Sequence, residues 1–115
     1  MKLKDYDTEC VRAAHAILAT DPLRHVTIEG LALEVGLNRN KLQFGFKKLY
    51  GHSIDEYRLK TRMRFASKLL RQTDKSIKEI ARLTGYKNIS SFSVAFKRVF
   101  QQPPTQWRNN RTGIA

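Results

Sequence analysis

The chain has a single cysteine, Cys10, so no internal disulfide can form, and a reducing cytoplasm fits that usage. Its histidines, His15, His25 and His52, lack both the spacing and the cysteine partners of a zinc site, so no metal is expected. No apolar run approaches the roughly 20 residues of a membrane span, and no membrane partner is expected. The opening "MKLKDYDTEC" is too charged, and its apolar part too short, for a signal peptide. There is no phosphate-binding loop, no catalytic pair of carboxylates and no nucleophile with a base beside it. The chain therefore presents no catalytic residue, no reason to expect a cofactor, and no enzyme class. Strand-like alternation is missing as well.

Acidic residues are scarce: 10 Asp and Glu face 22 Lys and Arg, for a formal charge of +12. Residues 1–25 hold four of each sign, so the surplus lies entirely in residues 26–115. A charge of this sign favours polyanions, nucleic acid before anionic membrane. Apolar residues make up 41% of the chain, enough for a packed core rather than global disorder. At 115 residues the chain suits one compact domain or two small ones sharing a helix.

Helical periodicity runs throughout. Asp7 is expected to cap a first helix to about Thr20, with Val11, Ala14, Ile17 and Leu18 inward, ended by Asp21-Pro22. Thr27 caps a second, with Ile28, Leu31, Ala32 and Val35 on one face and Gly36 as its stop. Asn38 caps a third, with Leu42, Phe46, Leu49 and Tyr50 inward, closed by Gly51. The boxes "SIDE" (Ser53, Glu56) and "SIKE" (Ser76, Glu79) open a long helix to about Gln72 and a fifth helix. Ile54, Tyr57, Met63, Ala66, Leu69 and Leu70 are the apolar contacts of the long helix. Ile77, Ile80, Ala81 and Thr84 form the face of the fifth, which Gly85 stops. Asn88 caps a sixth, with Phe92, Phe96, Val99 and Phe100 inward. "PPTQWR" starts a short last helix with Pro104 in its first turn and Trp107 as a core plug.

The chain repeats itself. Thr27–Gly36 overlays Ser76–Gly85, pairing Ile28 with Ile77, Leu31 with Ile80, Ala32 with Ala81 and the two glycines. After a one-residue gain, Leu42 meets Phe92, Phe46 meets Phe96, and Lys47-Lys48 meets Lys97-Arg98. Each copy supplies a small residue where two helices touch (Ala32, Ala81), a tight turn (Gly36, Gly85) and an apolar anchor after it (Leu37, Tyr86). Ordinary helical hairpins use Ala and Gly this way too. Two copies in register, amid the whole charge surplus, are what a pair of helix-turn-helix units needs. In that motif the second helix enters the major groove.

With "IARLTGYKNISSFSVAFKRVF" (residues 80–100), "PPTQWR" (103–108) and "RLKTRMRFASKLL" (58–70), residues 7–108 resemble the DNA-binding domain of the AraC/XylS family of bacterial transcription regulators. The resemblance implies an all-α fold of seven helices: a first homeodomain-like helix-turn-helix subdomain (1–52), a linker helix (53–72) and a second subdomain (73–115). About 18 linker residues at 1.5 Å rise make a rod of roughly 27 Å. That suits two reading helices in successive major grooves, near 34 Å apart, on an asymmetric double-stranded site of about 20 bp.

By the same resemblance, base contacts fall to Arg39, Asn40, Gln43 and Phe44, then Ile89, Ser90, Ser91, Ser93 and Val94. Asn40 and Gln43 suit an adenine edge and Arg39 a guanine, although Asn40 is equally a helix-start residue. Many relatives carry Arg where this chain has Phe44 and Val94. That shifts hydrogen-bonded readout to the first unit and leaves the second to apolar contact and phosphate anchoring. Phosphate contacts fall to Lys41, Lys47, Lys48, Arg58, Lys60, Arg64, Lys87, Asn88, Lys97, Arg98 and Arg108, with Ser90 at the same helix start. Any one of these is also an ordinary solvated charge. Arg62 is a structural hydrogen-bond donor or a DNA contact. The resemblance further implies recruitment of RNA polymerase, through helix one or "TDKSIKE", by an activator. It leaves open whether the chain is a short member or the C-terminal part of a regulator with an N-terminal effector and dimerisation domain. The rival readings are an RNA-binding helical protein, or a non-specific DNA-binding or docking module.

Overall fold

The structure is a computed structural model and describes residues 2–110. Those residues form seven α-helices: α1 (Asp5–Thr20), α2 (Ile28–Val35), α3 (Arg39–Tyr50), α4 (Ile54–Gln72), α5 (Ile77–Leu83), α6 (Ile89–Phe100) and α7 (Pro104–Asn109). Among the described residues no helix is long and apolar enough to cross a membrane. The all-α, seven-helix expectation holds. The caps hold too, because each side-chain oxygen meets an amide that the helix itself leaves unpaired. Thr27 accepts from Gly30 N at 2.9 Å, Asn38 from Lys41 N at 2.8 Å, and Asn88 from Ser91 N at 2.8 Å. Ser53 and Ser76 accept from Glu56 N and Glu79 N, each at 3.0 Å, and both glutamates reach back to the serine amides.

The first helix departs from expectation. It starts at Asp5, with Lys4 at the cap position, so Asp7 lies inside the first turn. Its carboxylate accepts the Lys4 amide at 3.0 Å and lies 3.5 Å from Lys41 Nζ, with only 3% of the residue exposed. Asp7 thus closes the start of α1 from within and ties it to α3. The Lys4 amide, with help from Lys41, holds its pKa below the usual carboxylate value.

The chain divides into two compact units, residues 1–58 and 59–115. In the first, Val11, Ala14 and Leu18 of α1 meet Leu31, Ala32, Leu37, Leu42, Phe46 and Ile54. At Gly45, α1 and α3 approach so closely that a Cβ would lie 2.7 Å from Val11 Cγ2. Leu49, expected inward, is 39% exposed. The last turn of α3 is covered instead by Tyr50, whose ring stacks 4.0 Å from that of His15.

In the second unit, Met63, Ala66 and Leu70 of α4 meet Ile80, Ala81, Phe92, Ala95 and Phe96. Ala95, buried in this core, stands where the first unit has Gly45. Thr84 is buried where the first unit has Val35, and its hydroxyl donates to Ile80 O and Ala81 O at 2.8 and 3.1 Å, so the hydroxyl is paired despite its burial. Trp107 packs against this core and donates from Nε1 to Ser67 O at 3.2 Å, while the Arg71 guanidinium sits 3.6 Å from its ring centre. The linker helix is shared by sequence: Ile54 and Tyr57 belong to the first core and Leu59 onward to the second.

Candidate nucleic-acid interface

In the first unit, Gly36 takes a left-handed backbone (φ 82°) and turns the chain from α2 into α3, with Leu37 buried behind the turn. Leu42, Gly45 and Phe46 commit one face of α3 to the core, so the opposite face must stand in solvent. That face carries Asn40, Gln43, Phe44, Lys47 and Lys48, all exposed. Gln43, Phe44, Lys47 and Lys48 line one shallow concavity of about 630 Å³. The Lys48 ammonium lies 5.5 Å from the Phe44 ring centre, a cation over an aromatic face.

Arg39 is not free. Its Nη1 donates to Glu29 Oε1 at 2.7 Å, and both line a cleft of about 310 Å³ with Asp55 and Arg58. Two predicted DNA-contacting residues, Arg39 and Arg58, are thereby brought together. Glu29, which the sequence reading did not single out, accompanies them. The signal for it was an acidic side chain in the first turn of α2, ten residues before an arginine, which periodicity alone does not flag. Lys41 is drawn toward Asp7 and is half-buried, so it anchors α3 on α1 as well as adding charge.

In the second unit, Gly85 (φ 93°) makes the matching turn. Phe92, Ala95 and Phe96 face inward, and Ile89, Ser90, Ser91 and Val94 stand exposed. Ser93 is half-buried, the one candidate of this group turned partly toward the core. The Asn88 side chain is engaged as the cap of α6. Lys97 and Arg98 occupy the last turn, where the helix dipole favours cations. Lys87, Asn88, Ile89 and Ser90 share a cleft of about 300 Å³ with Lys78, Ala81 and Arg82. Lys78 and Arg82, on the exposed face of α5, were absent from the sequence-derived set and add two charges beside the start of α6.

Lys60 and Arg64 are exposed on α4 and line none of these clefts. Arg108 departs from the phosphate-contact expectation. Its Nε donates to Leu70 O at 3.0 Å and its Nη2 to Thr73 O at 3.3 Å, so the guanidinium is held on carbonyls at and just past the end of α4. Arg62 is half-buried and close enough to Tyr86 for its charge to oppose the upward shift that burial gives the phenol. No group of three or more metal-ligating side chains exists among the described residues.

Two helix-turn-helix units, each exposing the leading half of its second helix amid basic residues, now stand on structure rather than on pattern. A family model described as "Helix-turn-helix domain" matches residues 31–110, more than half of the chain. The chain is 35% identical over 102 residues to a putative AraC-like transcription regulator of Streptomyces lividans, covering 89% of this chain and 34% of that protein. The chain belongs to the AraC-type helix-turn-helix family.

A second relative of this AraC-type chain is the lactose operon transcription activator of Staphylococcus xylosus, 34% identical over 106 residues, covering 92% of this chain and 38% of that one. A solved AraC-type DNA-binding-domain regulator from Chromobacterium violaceum superposes with a TM-score of 0.82 at 25% identity, over 97% of this chain and 100% of that chain. The chain spans about a third of the length of the first curated relatives it matches.

Proposed function

We propose that this AraC-type chain is the non-enzymatic DNA-reading part of a cytoplasmic transcription regulator, binding a specific asymmetric duplex site with α3 and α6 in successive major grooves. The observation that carries the reading is the exposure of matching positions on two second helices, Asn40 with Ser90 and Phe44 with Val94, beside exposed Gln43 on α3 and Ser91 on α6. Side chains at these positions are the ones a helix-turn-helix unit shows to base edges. Gln43 and Asn40 carry the paired donor and acceptor that suit adenine, and Arg39, oriented by Glu29, suits guanine. Lys47, Lys48, Lys87, Lys97 and Arg98, joined by Lys78 and Arg82, supply sequence-independent attraction to phosphate. The name of the Staphylococcus xylosus relative, an activator, supports activation as the mode of action, with RNA polymerase as the partner the reading assigns to it.

Selection of bound duplexes from a random pool, followed by binding across a salt series, tests this. The expected result is a single enriched asymmetric site. A protein making 6–10 phosphate contacts should lose about 10³–10⁵ in affinity for it between 50 and 200 mM salt. A pool that returns no preferred duplex, or tighter binding to single-stranded RNA than to any duplex, refutes it.

A further inference from the structure

Val94 is 71% exposed in the middle of α6, although Phe92, Ala95 and Phe96 around it are buried. One turn before it on the exposed side stand Ser90 and Ser91; one turn after it stand Lys97 and Arg98. Phe44 holds the same register in the first unit, 36% exposed, with Lys47 and Lys48 one turn on. Each second helix thus places an apolar side chain at the centre of an otherwise polar and basic stripe.

We propose that Val94 reads thymine through its C5 methyl group, so that the part of the site under α6 is specified by apolar contact. The proposal rests on the DNA-reading function above. Valine has no atom that can hydrogen-bond a base, and among major-groove edges of unmodified DNA only thymine offers an apolar group. A β-branched side chain in a helix is held almost entirely in one rotamer, so little freedom is lost when it meets a methyl. The basic pair at the next turn supplies the charge complementarity that seats α6 against phosphate. Burying one methyl is worth roughly fourfold in affinity.

The test uses the duplex enriched from the random pool. Each thymine in turn is replaced by uracil, which removes the methyl and leaves base pairing intact. One position is expected to weaken binding roughly fourfold for the unaltered chain, and Val94→Ala is expected to lower affinity for the intact site and erase that penalty. Replacing the same T·A pair by 5-methylcytosine·guanine should bind better than cytosine·guanine, and only for the unaltered chain. Because Val94 is exposed, the variant should keep its helical circular dichroism. The proposal is overturned if no uracil substitution weakens binding, or if every penalty persists undiminished in Val94→Ala. If the pool yields no preferred duplex, the DNA-reading function itself fails, and the methyl reading falls with it.

Discussion

Replacing Gly36 by alanine probes the turn that aims α3. At φ 82° the residue sits in the left-handed region, where a Cβ costs about 1–2 kcal/mol. Alanine also restricts the unfolded chain, which returns about 0.4–1 kcal/mol. Gly51 isolates these two effects: its φ is 80° and a Cβ there meets nothing within 4 Å. Gly51→Ala should therefore destabilise by no more than about 1.6 kcal/mol. At Gly36 the new Cβ would stand 2.6 Å from Tyr6 Oη, which donates to the Gly36 carbonyl at 2.8 Å. Tyr6 is largely exposed and can swing away, so the added cost of Gly36→Ala should lie at the low end of overpacking, about 1 kcal/mol. Tyr6→Phe removes the clashing oxygen and leaves Cζ at 3.9 Å, an ordinary contact. Urea unfolding followed by far-UV circular dichroism should show Gly36→Ala as the costlier glycine replacement, with its excess gone in the Tyr6→Phe background. An excess that survives there, or equal costs at the two glycines, would refute the reasoning.

Four further outcomes follow from the placement of side chains. Arg108→Ala should destabilise by about 1.5–3 kcal/mol, through loss of its charged bonds to Leu70 and Thr73 carbonyls, and leave the salt slope of DNA binding unchanged. Lys97→Ala should do the reverse, with an unchanged unfolding midpoint and a slope about 1 smaller in magnitude. Gln43→Ala should relax preference at one base pair by about 1–3 kcal/mol, read by competition among single-substituted duplexes; uniform weakening would reduce Gln43 to a backbone contact. His15 has its pKa lowered by burial and by the neighbouring His52, so its charged form is disfavoured in the folded state. Stability should be complete above the unfolded value of 6.5 and fall as pH drops below it. His15→Phe should flatten that decline in urea midpoints measured from pH 7.5 to 5.5, and an unaltered decline would refute the assignment.

Much of the fold was legible because local chemistry and global packing agree. Thr27, Asn38, Ser53, Ser76 and Asn88 each start a helix for the same reason, and the repeat fixes which faces turn inward. Asp7 was misplaced because an acidic residue serves equally as a cap or, three positions in, as the carboxylate that reaches back to the first amide. Leu49 was misplaced because apolar spacing does not reveal which side chain, leucine or the neighbouring tyrosine, covers a helix's last turn. In the candidate interface, the exposed register of α3 and α6 followed from the repeat. The hydrogen-bonding of arginines did not, since a guanidinium on a long side chain reaches partners far away in sequence. Arg39 found Glu29 ten residues away, and Arg108 found carbonyls 38 and 35 residues away.

Hydroxyl-radical footprinting of the chain on its selected duplex tests the central claim, two reading helices on one double helix, most directly. The expected pattern is two protected stretches centred about 10–10.5 bp apart, with Gln43→Ala weakening one and Val94→Ala the other. One protected stretch, lost as a whole with either variant, would contradict it.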